Sequence, residues 1–489
     1  MSFYIKGKTK KWEVVLGLEV HAQINSISKL FSSASTKYGS EPNSQVNLVD
    51  AGMPGALPVI NDACVKQAII TGLGLNAKIN LKSVFDRKNY FYPDLPQGYQ
   101  ISQFEKPIVG NGFLKIETED GSKKIGITRL HLEQDAGKSL HDQDFEYSFI
   151  DLNRSGCALM EIVSEPDLRS PTEAAEYIKK LRSILRYLGS CDGNMEKGNL
   201  RADVNVSVRE FGADLGTRCE IKNVNSIKFI QQAIEFEANR QVDIIESGGK
   251  IKQQTRLYDS QKGETRAMRS KEESHDYRYF PDPDLPPLIL DQELIDDLKS
   301  KLPELPDIKK NRFINDFGIK NYDAEILVSE RKIADYFELL IPNRDPKLVI
   351  SWLTGEFFSY LNKKGLSISE SGISPEKLGE MIDLVQDGTL SNRLAKDLFE
   401  EYVEGEISAI ELVKKKGMIQ ISDETEINNL IEKVIEENPK MLEQFNAGKE
   451  KLFGFFVGQI MKVSNGKANP QMVNNLLIKR LKKKSWMGD

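Results

Sequence analysis

Up to about residue 295, apolar and polar positions alternate in short stretches separated by glycines and turn residues. In "VVLGLEVHAQI" (14–24), Leu18, Val20 and Ala22 alternate with Glu19, His21 and Gln23, which predicts a strand with one polar face. "GITRLHLEQD", "LRADVNVSVRE" and "TRCEIKN" read the same way, the last two as a hairpin joined through "EFGADLG". Two amphipathic helices interrupt the strands. One opens at Ser170-Pro171, carries Ala174, Ile178, Leu181, Leu185 and Leu188 on one stripe, and stops at Gly189. The other runs from about Asn225 to Gly248-Gly249. Strands with intermittent helices predict an α+β domain around a largely antiparallel sheet.

The proline-rich "YFPDPDLPPLIL" (279–290) must be extended and reads as a seam. Beyond it the periodicity becomes helical. The division expected is a sheet domain over 1–294, an all-α helical domain over 295–408 and a small helical tail domain over 409–489.

Composition narrows the class only a little. A hydrophobic share of 39% and a charged share of 29% suit a folded chain of several domains. No apolar run is long enough to span a bilayer, and "MSFYIKGKTKKW" has no secretory core, so a cytoplasmic protein with no membrane partner is expected. The four cysteines lack CxxC spacing, which argues against a disulfide framework and a structural zinc site. The net charge of −6 does not advertise a nucleic-acid binder, although "IKRLKKKSW" is a local basic run.

The acids carry more information. "GITRLHLEQDAGKS" presents Arg129, His131, Glu133 and Asp135 at alternate positions, so two strands each set His and Glu two residues apart. "CALMEIVSEPD" puts Glu161 in an apolar run, where an unpaired carboxylate is costly. A polar face lined by Glu19, His21, Glu133, Glu161, Asp203 and Glu220 would repel itself without cations. Hard divalent ions, magnesium in particular, answer that need and leave positions for phosphate oxygens. Arg129, Lys138, Arg154, Arg201, Arg218 and Lys222 suit the holding of a polyphosphate. No Walker-type or GxGxxG loop is present; "DAGKS" reads as a strand-end loop whose Lys138 and Ser139 can reach phosphate. The residues alone thus reach metal-assisted phosphoryl chemistry on an open sheet.

Collinear stretches then narrow the choice. "GLEVHAQI", "GMPGALPV", "DRKNYFYPDLPQGYQISQ", "HLEQDAGKS", "DLNRSGCALMEIVSEPD", "GNLRADVNVSVR", "EIKNVNSI", "ETRAMRSKEESHDYRYFPDPDLPPL" and "GFFVGQIMKVSNGKANPQMVNNLL" span nearly the whole chain in order. Together they closely resemble the B subunits of the aspartyl/glutamyl-tRNA(Asn/Gln) amidotransferases. The resemblance implies a ligase component that uses ATP and Mg2+ to phosphorylate the side-chain carboxyl of Glu-tRNA(Gln) or Asp-tRNA(Asn). Ammonia channelled from a glutaminase (A) subunit then forms the amide, and a small C subunit completes a heterotrimer. It also implies a cradle domain similar to the glutamine synthetase and guanidino-kinase sheet, and a tail that contacts the tRNA. Glu19, His21, Glu133 and Glu161 would be the magnesium set, with Asp203 and Glu220 as further metal or tunnel-mouth residues. Lys88, Tyr90, Tyr92, Arg154 and Ser155 would contact ATP or the tRNA terminus. Many relatives carry a second glutamate where Gln134 stands; strand alternation points 134 away from Glu133. Some carry zinc-binding cysteines near the N-terminus; residues 29–55 here contain none, so no zinc is expected.

Two other classes remain open on the residues: a magnesium-dependent phosphohydrolase or nuclease, and a non-catalytic tRNA-binding scaffold.

Overall fold

The computed structural model describes residues 3–141, 144, 146–268, 277–421 and 423–484, with side chains to 481. The chain divides into two compact units, Met1–Pro306 and Asp307–Asp489.

The first unit is built on a nine-stranded sheet, eight strands side by side across it and a short ninth, Ile5–Lys6, paired with the start of its central strand. Its central strand, Lys11–Gln23, is flanked by Leu200–Glu210 on one side and Ala158–Ser164 on the other. Outward from Leu200–Glu210 follow Cys219–Lys222, Gln254–Asp259 and Glu264–Ala267; outward from Ala158–Ser164 follow Gly121–Gln134 and Gly112–Thr118. Every pairing is antiparallel except that of Cys219–Lys222 with Gln254–Asp259. The predicted hairpin is present, with Asn205 opposite Glu220.

Alternation sorts the two faces. Val14, Leu16, Leu18, Val20 and Ala22 are fully buried in one core with Val204, Val206, Met160, Ile162, Leu130 and Leu132. The helices Asp62–Gly74, Pro171–Leu188 and Ile227–Glu246 cover that apolar face and leave the other to polar residues. The Pro171–Leu188 helix starts and stops as its sequence predicts. The Ser170 hydroxyl accepts from the Glu173 amide at 3.0 Å, and Gly189 closes the helix at φ 72°, a left-handed conformation that glycine adopts without steric cost. The other long helix is capped one residue later than expected, by Ser226, which accepts from Phe229 N.

The proline-rich seam is woven into this unit. Phe280–Pro281 pairs with Asp86–Asn89, and Leu288–Ile289 pairs with Lys82–Ser83, while Arg87 holds buried Asp282 at 2.8 Å. Proline keeps the segment extended, and the residues between prolines still pair along a sheet edge. Helix Gln292–Ser300, which straddles the expected boundary at 294, inserts Ile295 and Leu298 into the same core.

The second unit is helical. It includes one π-helical stretch, Trp352–Phe357, and a terminal cluster in which Ile427, Ile431, Val434, Phe456, Ile460, Val473 and Leu477 pack together. The whole is a mixed α+β chain: a multi-stranded sheet followed by a helical C-terminal region. Among the described residues no helix is long and apolar enough to cross a membrane.

Candidate metal and phosphate site

Strand register brings the acids and histidines into line. Glu161 lies opposite His21 on one neighbour and opposite His131 on the other, so the three share one row on the polar face. Glu133, two residues along from His131, lies opposite Leu159 on that face. The row becomes a closed ring. His21 Nε2 is 3.5 Å from Glu133 Oε1 and 3.4 Å from Glu161 Oε2; His131 Nε2 is 3.6 Å from Glu133 Oε2 and 3.4 Å from Glu161 Oε2. Ser102 Oγ stands 3.5 Å from Glu133 Oε2. The His21 side chain is 19% exposed and that of Glu133 only 5%, so the ring meets solvent on the His21 side.

The electrostatics follow from this packing. Burial opposes charge on Glu161, but the imidazoles of His131 and His21 hold its carboxyl well below the usual range. Burial also disfavours the His131 imidazolium, yet the facing carboxylates raise it to about 9. His21 is raised on the same grounds. Glu19 lacks such a partner. Burial and the nearby Glu161 carboxylate push it up, helped by Glu220 and Asp203, although the Asn205 amide donates to it at 2.9 Å. The polar face thus holds more negative charge than its histidines neutralise in place.

His21, Glu133 and Glu161 can each offer one ligand atom within 4.8 Å of the others, and they form the one such set among the described residues. One imidazole nitrogen and two carboxylates form a hard donor set suited to a divalent cation. The residues present fit that ion. Glu19, the fourth expected ligand, faces Asp203 across the strands, two residues from His21, and is not in this set.

The remaining predicted residues fall into distinct groups. Asp203 and Glu220 flank Lys222, which bonds both, with Thr255 donating to Glu220 at 2.9 Å. They continue the polar face beyond Glu19 as a row of two carboxylates around one ammonium. Lys88 comes from the small sheet of Asp86–Asn89 and Tyr99–Ser102. Burial disfavours its ammonium, and Glu133 leads the charges that raise it in compensation. Its Nζ sits 4.8 Å from the Tyr277 ring centre and 5.8 Å from that of Tyr90. Tyr90 and Tyr92 pack edge to face at 5.9 Å, and Tyr92 is 55% exposed.

Arg154 is engaged with Asp135 at 2.8 Å, and Arg201 meets the other oxygen of the same carboxylate at 3.0 Å. Burial works against charge on Asp135, but the two guanidiniums hold its pKa down. Ser155 is buried and donates to the Asp50 carbonyl at 3.3 Å, so its hydroxyl is committed within the fold. Lys138 and Ser139 lie on a separate ribbon, Lys138–Leu140 with Phe149–Asp151, where Ser139 bonds Asp94 at 3.1 Å. Lys138 is exposed, and Arg218 lies exposed just before Cys219–Lys222. Gln134 points away from the ring and accepts from the Ile101 amide at 3.0 Å.

Sequence reasoning leaves His131 out of the ligand set, though its alternation with Glu133 puts it on the polar face. Nor does it pair Tyr279 with Phe104, whose rings stack at 4.3 Å. The signal for them is long-range, because Tyr279 belongs to the proline-rich segment.

Residues 14–296 match the family model described as the GatB/GatE catalytic domain, and residues 335–481 match that described as the GatB domain. The chain is 60% identical to the B subunit of the aspartyl/glutamyl-tRNA(Asn/Gln) amidotransferase of Pelagibacter ubique, over 98% of both chains. It is 62% identical to the protein of that name from Methylorubrum extorquens, over 98% of this chain and 97% of that one. The corresponding figures for Rickettsia conorii are 58%, 98% and 99%. The chain belongs to the family of tRNA-dependent amidotransferase B subunits. All four members of the histidine–carboxylate ring fall within the match to that family's catalytic domain.

Proposed function

We propose that this chain is the carboxyl-activating component of a glutamine-dependent aminoacyl-tRNA amidotransferase, acting on Glu-tRNA(Gln), Asp-tRNA(Asn) or both. The observation that carries the chemical part is the convergence of His21, Glu133 and Glu161 donors within 4.8 Å on the polar face of the sheet. Family membership supports the substrate class, because the relatives' names specify aspartyl and glutamyl tRNA. The partners proposed are a glutaminase (A) subunit and a small C subunit in a heterotrimer, with a cytoplasmic location.

Carboxylates are poor acyl donors because oxide is a poor leaving group. Attack by the side-chain carboxylate oxygen on the γ-phosphorus of ATP releases ADP and gives an acyl phosphate; ammonia then displaces phosphate and forms the amide. His21, Glu133 and Glu161 would hold Mg2+, with Glu19 beside them. When bound, the ion supplies charge neutralisation between the substrate carboxylate and the triphosphate. Lys88 contributes a fixed cation at the edge of the acid ring. Arg154 and Arg201 keep Asp135 charged and the strand end in place. Tyr90 and Tyr92 are the proposed contacts for ATP or the tRNA terminus, and Asp203 and Glu220 line the proposed ammonia route. The cradle is proposed to be similar to the glutamine synthetase and guanidino-kinase sheet; a largely antiparallel sheet with one helix-covered face supports this. The tail over 409–489 is proposed to contact tRNA.

The test is ATP-dependent amide formation from free ammonia and mischarged tRNA. Glu161→Gln and His21→Ala are expected to abolish it while tRNA binding by gel shift survives. Amide formation retained in both variants would leave the scaffold reading standing. Phosphoester turnover without ATP would favour the hydrolase.

A further inference from the structure

Of the two imidazoles that face the carboxylates, only His21 belongs to the three-donor set; His131 touches the same two carboxylates without joining it. His131 is 4% exposed and comes from a strand one place removed from that of His21, with the Glu161 strand between. Its Nε2 lies 3.4 Å from Glu161 Oε2 and 3.6 Å from Glu133 Oε2, so one ring nitrogen addresses both acids at once. His21 reaches the other oxygen of Glu133, Oε1, at 3.5 Å. Glu133 therefore faces a different histidine at each oxygen, and the His131 contact at Oε2 opposes rotation of its carboxylate plane.

We propose that His131 is a positioning residue for the metal site: through Nε2 it orients Glu133 and Glu161 so that their remaining lone pairs converge beside His21. Groups that orient metal-binding carboxylates from behind typically change affinity about 10–100-fold when removed. The surroundings agree with a holding role. The Nδ1 atom of His131 is buried without a hydrogen-bond partner, so the ring's polar attachment is at Nε2. Ser102 approaches the same Glu133 oxygen at 3.5 Å, from another strand. This inference rests on the metal reading given above and adds a residue to it.

The experiment uses the full chain with its partner subunits and Mn2+ as the probe, followed by electron paramagnetic resonance titration. Three variants separate position from packing. His131→Phe keeps the ring volume and loses the donor. His131→Gln places an amide nitrogen near the Nε2 position, and His131→Asn places one nearer Nδ1. His131→Phe and His131→Asn are expected to weaken Mn2+ binding roughly 10–100-fold, and His131→Gln to recover most of it. The melting temperature without metal and the affinity for tRNA should stay close to wild type in His131→Gln, which shows that recovery is not refolding. Wild-type Mn2+ affinity in His131→Phe would overturn the role of His131 alone. No Mn2+ binding by the unaltered protein, with or without nucleotide, would overturn the metal reading and this inference together. Equal loss in His131→Gln and His131→Asn would show that Nε2 is not the operative atom and overturn the proposal.

Discussion

Glu237 offers a test of what holds the sheet's outer strands in place. Its side chain is wholly buried on the Ile227–Glu246 helix. It accepts from Arg240 at 2.6 and 2.9 Å, from Gln241 at 2.8 Å and from Thr265 at 2.9 Å, and lies 3.1 Å from Arg256. One carboxylate thus ties a helix to the Gln254–Asp259 and Glu264–Ala267 strands. Burial already holds Arg256 below the usual guanidinium range, against the pull of Glu237. Glu237→Ala would leave that cation buried with less compensation, at a cost of about 3–5 kcal/mol. For a unit of 306 residues, an unfolding entropy of ~2.1 cal/mol/K per residue makes 4 kcal/mol roughly 6 °C in Tm. The sign with pH is also fixed. Burial opposes ionisation of Glu237, but Arg240 and Gln241 outweigh it and depress its pKa. Its contribution is therefore present above the unfolded value of 4.5 and fades as pH falls through the lower folded value. Scanning calorimetry of wild type, Glu237→Ala and Glu237→Gln at pH 7 and again below pH 4.5 reads both effects. A Tm for Glu237→Ala within 1 °C of wild type, or a wild-type-to-Gln gap that widens in acid, would refute the reasoning.

Lys29→Met tests the buried pair behind the 152–156 loop. Lys29 and Asp50 are 3.1 Å apart and almost wholly buried, and Lys29 also bonds the Leu152 carbonyl at 3.2 Å, so the substitution should cost about 3–5 kcal/mol in urea denaturation. The ATP-dependent reaction should slow as well, because Arg154 reaches Asp135 from this loop; full activity at a reduced Tm would separate the two effects and contradict that link. Ile431→Ala, at a fully buried position of the terminal helical cluster, should destabilise that cluster by about 2–5 kcal/mol. Protease sensitivity of the tail and gel-shift affinity for tRNA should change together, with Mn2+ binding at the acid ring untouched; unchanged tRNA affinity in a protease-sensitive tail would remove it from the tRNA interface.

Much of the polar face was legible because a strand's period of two assigns side chains to faces without any knowledge of neighbours. Glu19 with His21, His131 with Glu133, and Asp203 with Arg201 could all be read this way. The direction of Gln134, opposite to that of Glu133, followed from the same rule and matches its bond to Ile101. The helix ends at Ser170 and Gly189 were legible because capping is local chemistry. The pairing of the proline-rich segment was not, since prolines announce extension but do not say what lies alongside. Nor could sequence tell that Arg154 and Ser155 bond Asp135 and Asp50, because those partners are distant in the chain.

Register is where local reading ended and the chemistry began. Alternation alone leaves Glu161 on one face of its strand but does not say which residue of the next strand it meets. Pairing with His21 on one side and His131 on the other makes it the acid shared by two imidazoles. A slip of one residue along Ala158–Ser164 would bring Met160 or Ile162 to the polar face and drive Glu161 into the core among Leu18, Val20 and Leu130. That alternative buries a lone carboxylate and exposes apolar surface, so both terms oppose it. The hydrophobic pattern that folds the sheet therefore also aligns the ring, and no separate device is needed to bring candidate ligands from three strands to one point. Stability and site geometry are set by the same register, so substitutions that loosen the apolar face beneath Glu161 should blunt metal affinity before they unfold the protein.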